Sequence, residues 1–597
     1  MAAITVVYGS QTGTAKEVAE RVAREAKRRH LQTKLQSLEF YDWTRLPEES
    51  LIIFCVSTTG QGDFPDSMKN FWRLLMQKRL STKSLSSVQF GIFGLGDTSY
   101  SRYNFVAKKL FRRLVQLGAA PIIDRGDGDD QHPIGLEGAL DPWLSKLWDV
   151  VLALHPLPAG CSVLPSDTLP PPRFTLVTEP KSRNESRATH TNGENFSESS
   201  PYAATLLCNE RLTAEDWEQD VRLFRLDITN SSIEYQPGDV LYVMPENSKE
   251  DSEKFLERMG LSGDTILYDL LPNDHDLHPS HIVFPISLLD YVRRFVDFMG
   301  TMRRYFFEML SHFATDAMEK ERLQHFASSE GQGDLRFYNT KERRTALQVL
   351  YDFPSVKIPL EYLFDFIPSI QPRAFSISSA QSAHPTDIEI TVAIVKFKTK
   401  MGRIRRGVCT SHLSSLQKGD KVNVYVKRGL LKLPKEAQTP IIMVGPGTGL
   451  AIFRSFVQER RQQRSRGLTV GPTAFFFGCR GRETDYLHGE EWEEMLREGV
   501  LSLYSVAFSR DREEAERMDR GRNYVQHKIR ERREEVWKIL SQMSVIYISG
   551  SSGRMPIDVR EAFVDVVREC KPCTQEEAEE YISTMDKEGR YQVETWS

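Results

Sequence analysis

The stretch GSQTGTA (9–15) sets Ser10, Thr12 and Thr14 around Gln11 and Gly13, between an apolar run, ITVVY, and a segment that opens at Ala15. Ala15, Val18, Ala19, Val22, Ala23 and Ala26 recur at the spacing of a helix packed on a sheet. Three hydroxyls and the N–H groups of a helix N-terminus, with no cation among them, suit a phosphate held by hydrogen bonds and the helix dipole. No Gly-Lys-Ser/Thr closes the loop, so it is not a Walker A motif, and it does not spell G-x-G-x-x-G. Taken alone, a capped strand-to-helix turn explains it equally well.

Two further junctions favour a ligand. LIIFCVS (51–57) runs into Ser57, Thr58, Thr59 and Gly60. VQFGIFGLG (88–96) runs through Leu95 and Gly96 into Asp97, Thr98, Ser99, Tyr100, Tyr103 and Asn104. With TKLQSLEF and APIID these make five strands alternating with helices, the pattern of a parallel sheet that binds ligands outside its carboxyl strand ends. Hydroxyls, glycines for close backbone approach and two tyrosines would together seat a planar ring with a phosphate tail. On these motifs residues 1–150 resemble the flavodoxin family. The resemblance implies FMN, with residues 10–15 on its phosphate, 57–60 beside the ring, Tyr100 as a stacking face and Asp130 in GDGDDQH closing the rim. Thr59 stands where several relatives place a second aromatic.

The remaining chemistry lies far downstream. QPRAFSISS (371–379) sets Arg373, Ala374, Phe375 and Ser376 on one short strand, and RRGVCTSHL (405–413) puts Gly407, Val408, Cys409 and Thr410 before a helix. Arg373 offers a two-pronged grip on a pyrophosphate, the second loop adds N–H donors, and Phe375 offers a flat face. Each alone reads more simply as a core aromatic beside a surface Arg. PIIMVGPGTGLAIF carries Thr448 among Gly445, Gly447 and Gly449, between a buried strand and an amphipathic helix. The next strand ends in Cys479 and Arg480, not in the acid that takes a ribose 2′-hydroxyl. Ser509 and Arg510 follow in YSVAFSRDR, then Arg522, Asn523, Tyr524, Val525 and Gln526 in GRNYVQHKIRE, and Asp558 after VIYISGSSGRMP. Hydroxyls and guanidinium groups at strand ends suit a 2′-phosphate, hence NADPH over NADH; a solvated basic edge is the plainer alternative.

These residues need scaffolds, and 597 residues suffice for about four domains. A net charge of −4 gives no global polyanion-binding signal. Seven cysteines, odd in number and mostly isolated, point to a reducing compartment. The first strand begins at once, with no signal peptide, and no apolar run reaches the roughly 18 residues of a membrane span; the expectation is a soluble, cytoplasmic protein. Residues 151–200 are rich in Pro, Ser and Asn and read as a flexible linker interrupted by a short strand-like patch, FTLVT. Its Asn-x-Ser sites at Asn184 and Asn195 mean little without a secretory signal. Residues 201–247 and 361–436 alternate as strands of an antiparallel barrel, with a helical insertion at 248–360, and 437–597 return to alternating strand and helix.

In that setting the Arg373, Phe375, Ser376 strand and the 407–410 loop resemble the FAD-binding barrel of the ferredoxin–NADP reductase family, where Arg, an aromatic and Ser bind phosphate, ring and flavin N5. The aromatic is usually Tyr. Arg343 is a further adenine-side candidate. The terminal YQVETWS completes a match of the whole chain to the NADPH-dependent diflavin oxidoreductases: FMN domain, FAD barrel, NADPH domain. The resemblance places Trp596 over the flavin where nicotinamide enters, and Ser376, Ser549 and Glu594 along the hydride path; relatives often carry Cys and Asp at the last two. It implies electron transport from NADPH through FAD and FMN to an acceptor protein. Lacking the anchor of the microsomal reductase and the long interdomain segment of methionine synthase reductase, the chain resembles the cytosolic branch of iron–sulfur cluster assembly, whose partner is the iron–sulfur protein anamorsin. A soluble reductase for a haem protein, or a flavin-binding scaffold without hydride transfer, are the alternatives. No metal site is expected: His275, His278 and His281 read as a surface loop, and Cys570 and Cys573 as a C-x-x-C within a helix.

Overall fold

A computed structural model of the chain describes residues 3–60, 62–100, 102–165, 167–180, 196–273, 282–510 and 523–596. It forms two compact units. The first comprises Met1–Ser182, Ser248–Ser369 and Thr399–Arg403, the second Arg183–Asn247, Ile370–Lys398 and Ile404–Ser597.

The first unit opens with the expected parallel sheet, in the order Gln32–Ser37, Ala3–Gly9, Leu51–Ser57, Gln89–Gly96, Ala120–Pro121. The fifth strand is split: Gly126–Asp129 resumes the pairing with Gln89–Gly96 after a break. Strand residues alternate between two cores because successive side chains point to opposite faces. Val6, Ile53, Cys55 and Phe93 pack beneath helices Thr14–Arg28 and Glu137–Leu154. Val7, Ile52, Phe54 and Ile92 pack beneath Asp66–Leu75 and Phe105–Gln116. The loops that carry the candidate residues therefore leave the sheet at its carboxyl edge.

The insertion supplies helices Lys249–Met259, Leu288–Phe295, Arg304–Phe313, Ala317–Ala327 and Ala346–Asp352 around a core rich in Phe. Two elements extend into residues 151–200. Helix Glu137–Leu154 runs past residue 150, and Phe174–Val177 pairs antiparallel with Asp269–Pro272, burying Phe174 in the insertion's core. Composition around FTLV is loop-like, but its alternating apolar residues find a sheet edge. The stretch 181–195, with Asn184 and Asn195, lies outside the described residues, as do His275, His278 and His281.

The second unit holds the antiparallel sheet, ordered Arg373–Ser376, Val240–Val243, Lys421–Lys427, Tyr202–Arg211, Val221–Asp227, Asp387–Ala393. Its ends meet: Ile377 bridges Ile390, and Ser378 N–H donates to Glu389 O at 2.8 Å, closing a barrel. The C-terminal sheet is wholly parallel, ordered Leu503–Phe508, Thr473–Cys479, Ile441–Pro446, Val545–Ser551, Tyr591–Trp596. Helices Leu450–Ser465 and Gly489–Arg497 cover one face, and Val525–Glu531, Met555–Cys570 and Gln575–Lys587 the other. Cys570 ends its helix and Cys573 lies in the following turn rather than within a helix, because Pro572 cannot continue it.

Candidate functional site

In the first unit three loops converge at the carboxyl edge of the sheet. Gly13 takes φ +90° at the start of helix Thr14–Arg28, a conformation side chains disfavour. Its N–H donates to Ser10 Oγ at 2.9 Å. Ser10 N–H donates to Ser67 Oγ at 3.1 Å, while Gln11 Oε1 accepts from Asp66 N–H at 3.0 Å, so the first loop is strapped to the helix beside it. Ser57 Oγ donates to Gly9 O (3.3 Å), and Thr58 N–H to Leu95 O (2.9 Å), joining the second loop to the first and third. Thr59 bridges Asp63 across a turn in which Gly60 has φ +47°. In the third loop Thr98 donates twice to Asp129, Ser99 N–H donates to Asp97, and Asp130 N–H donates to Gly96 O. Tyr103 OH donates to Asp127 O at 2.9 Å, and burial pushes its hydroxyl up to about 12. Tyr100 stays half-buried.

Two details test whether a flavin phosphate and ring suit these loops. Asn104 is fully buried with φ +50°, and its Oδ1 has no hydrogen-bond partner among the described residues. A Cβ on Gly96 would come within 2.7 Å of that oxygen, so the strand end has no room for a side chain. The donor set is neutral from Gly9 to Ala15. It fits a phosphate monoester held by N–H and O–H groups.

In the second unit Arg373–Ser376 pairs residue by residue with Val240–Val243, bringing Phe375 opposite Leu241 and Ser376 opposite Val240. Ala374 and Arg373 are exposed, Phe375 and Ser376 half-buried. Gly407 precedes helix Val408–Ser415, where a Cβ would meet Thr410 Oγ1 at 2.8 Å and Val395 Cβ at 2.9 Å. Thr410 Oγ1 accepts from Val395 N–H at 3.1 Å. Burial pushes the Cys409 thiol up to about 12, with Arg373 opposing the shift, so the two motifs share one neighbourhood. Arg343 lies in a turn of the first unit, with φ +48°.

The same unit assembles the C-terminal candidates. Thr448 sits in the turn Gly447–Gly449, and Gly449 packs so tightly on the next strand that a Cβ would stand 2.1 Å from Ser549 O. Ser549 is fully buried and its Oγ has no partner among the described residues. Parallel pairing sets Ser549 opposite Glu594, and Ser551 opposite Trp596, which is 42% exposed. Arg454, in the helix after the turn, donates to Ser378 O, Glu389 and Glu491, riveting that helix to the barrel two residues beyond Ser376. Beside it burial, with help from Arg454, drives the His488 pKa down to about 4, so this imidazole is neutral. His384, Asp387 and Glu389 also cluster, but Arg225 and Arg454 neutralise the carboxylates.

Ser509 and Arg510 leave their strand anchored by N–H bonds to Cys479 O and Arg480 O. Arg480 and Arg510 both flank Trp217 and share the carboxylate of Glu218, at 3.3 and 3.6 Å. Sequence reading missed Glu218 and Trp217. Asn523 is buried, Tyr524 exposed, and Gln526, one residue after Val525, approaches Asp558 at 3.5 Å. Arg522 lies outside the described residues.

Comparison with known proteins follows this order of sites. The Flavodoxin family model matches residues 6–143, the FAD binding domain 194–412, and the Oxidoreductase NAD-binding domain 443–561. The chain is 41% identical over 604 residues to the NADPH-dependent diflavin oxidoreductase 1 of Danio rerio, spanning 100% of this chain and 99% of that protein. It is 42% identical over 625 residues to the Arabidopsis thaliana protein of that name, with 100% and 99% covered. To the one from Schizosaccharomyces pombe it is 35% identical over 597 residues, with 99% of each covered.

Proposed function

The chain belongs to the NADPH-dependent diflavin oxidoreductase family, enzymes that move electrons from NADPH through FAD and FMN, and we propose that its acceptor is an iron–sulfur protein of the anamorsin kind, serving cytosolic iron–sulfur cluster assembly. What supports the acceptor assignment is resemblance along the entire chain, from GSQTGTA to the terminal Trp596, to the branch with that partner.

Bound FAD supplies the exchange of a two-electron hydride for single electrons, and bound FMN their delivery. The residues divide the remaining work. Ser10, Thr12 and Thr14 with the adjoining N–H groups hold the FMN phosphate, and Tyr100 covers its ring. Arg373 and residues 407–410 grip the FAD pyrophosphate, with Phe375 and Ser376 at the flavin. Thr448, Ser509, Arg510, Tyr524 and Gln526 orient NADPH, and Ser549 and Glu594 line the place where its nicotinamide arrives. Trp596, on the edge strand opposite Ser551, occupies that place until nicotinamide displaces it.

The test is anaerobic. Purified holoprotein with NADPH should bleach the cluster absorbance of recombinant anamorsin at catalytic ratios of reductase to substrate. Reduction of a haem protein with no reaction of the iron–sulfur protein would overturn the acceptor assignment.

A further inference from the structure

The loop at 9–15 has no cation of its own, yet one reaches it from the helical insertion. Arg303 immediately precedes helix Arg304–Phe313. Its Nη2 donates to Thr14 Oγ1 at 2.8 Å, and its Nη1 lies 3.0 Å from Glu17 Oε2. The residues that follow seat the same helix on Thr14–Arg28 and its neighbour. Arg304 is shared by Glu137 and Asp141 at 3.0 and 2.8 Å, the Tyr305 ring lies 3.4 Å beneath Arg24, and Glu308 pairs with Arg28 at 2.9 Å. All of these residues belong to one compact unit.

Charge decides what Arg303 does there. A phosphate monoester brings nearly two negative charges to the start of Thr14–Arg28. The helix terminus offers about half a positive charge, and Glu17, in the first helical turn, opposes the anion. Burial already pushes the Glu17 carboxyl above its usual range, despite Arg303 pulling the other way. A guanidinium on Thr14 supplies a full positive charge and several donors in a fork that suits phosphate oxygens.

We propose that Arg303 is the counter-ion of the FMN phosphate, so that FMN binding and the seating of the insertion's helix on the flavodoxin-like fold strengthen one another. The inference rests on the FMN reading of residues 10–15 and adds to it a positioning residue from outside that fold. Reciprocity follows: if seating helps the phosphate bind, bound phosphate helps the helix stay seated, by the same factor.

Full-length protein that retains FAD but is stripped of FMN separates the possibilities. It is titrated with FMN and with riboflavin, which lacks the phosphate, by flavin fluorescence. Arg303→Ala should raise the Kd for FMN about tenfold, the scale of one charge-assisted contact, and leave riboflavin within about twofold. Arg303→Lys should recover part of the loss. Hydrogen exchange in 304–313 should slow when FMN is added to the wild type, and less so in Arg303→Ala. Equal shifts for the two flavins, or none for either, would overturn the role of Arg303 while leaving the FMN site standing. A wild-type chain that binds riboflavin as tightly as FMN would overturn the site itself.

Discussion

Gly449 has no freedom to change. A methyl at that position would stand 2.1 Å from Ser549 O, a backbone atom that cannot swing away. Gly449→Ala must therefore push the turn or the strand Val545–Ser551 by an ångström or so, and displacement on that scale costs hydride transfer roughly a hundredfold. The candidate FAD residues lie on other elements, so the expected result is normal FAD content with NADPH oxidation reduced by about that factor in stopped flow. Arg510→Ala removes one of the two guanidinium groups that meet at Glu218; KM for NADPH should rise about tenfold and that for NADH hardly change, a split that steady-state rates resolve. Cys409 supplies a pH test. With its thiol pushed up to about 12 by burial, it stays protonated and unreactive toward iodoacetamide at pH 8, whereas exposed Cys161 labels first, as mass spectrometry would read. The hydroxyls of the first loop and the Arg373 strand were legible because each motif is contiguous. Glu218 was not, since its partners Arg480 and Arg510 lie more than 250 residues away in sequence.

At the scale of elements, TMRRYFFEML falls within the insertion expected to be helical, and Arg304–Phe313 is one of its helices. Nothing in it says what the two arginines face, because polar partners carry no periodicity. Arg21, Arg304, Glu137 and Asp141 form one cluster, its side chains 16–21% exposed. Burial alone would raise the Asp141 carboxyl, but Arg21 and Arg304 outweigh it and hold the group below the usual carboxylate range. The sign follows. A depressed carboxylate adds stability that is fully present above its unfolded pKa, near 4, and lost as pH falls through the lower folded value. The protection factors of the Arg304–Phe313 amides, which remove the intrinsic pH dependence of exchange, should therefore be steady from pH 8 to 5 and fall below about 4. Asp141→Asn should loosen the helix at neutral pH by about 1–2 kcal/mol, less than a fully buried pair would lose because water still screens this one. Sequence reading picked out FTLVT as a strand-like patch, but not its partner Asp269–Pro272, about 95 residues away.

On the scale of the molecule, the order of folds along the chain was fully legible, because each change of hydrophobic period marks a new scaffold: parallel sheet, barrel, helical insertion, parallel sheet. What the order means can be tested by breaking one site at a time. Gly13, at φ +90° with open space where a Cβ would go, is constrained by backbone conformation alone. Gly13→Val then strains the first loop without crowding its neighbours, costing about 1–2 kcal/mol or opening the turn that presents the N–H groups. The Arg373 strand and the 407–410 loop belong to the other compact unit and should not register the change. Flavin released from the denatured variant should shift from equal FMN and FAD toward FAD alone. NADPH-driven reduction of ferricyanide should persist, while delivery to a protein acceptor falls at least tenfold and returns when excess FMN is supplied. Equal loss of both activities would mean that the two flavin sites do not act in series, and the relay from NADPH to an acceptor protein would need a different route.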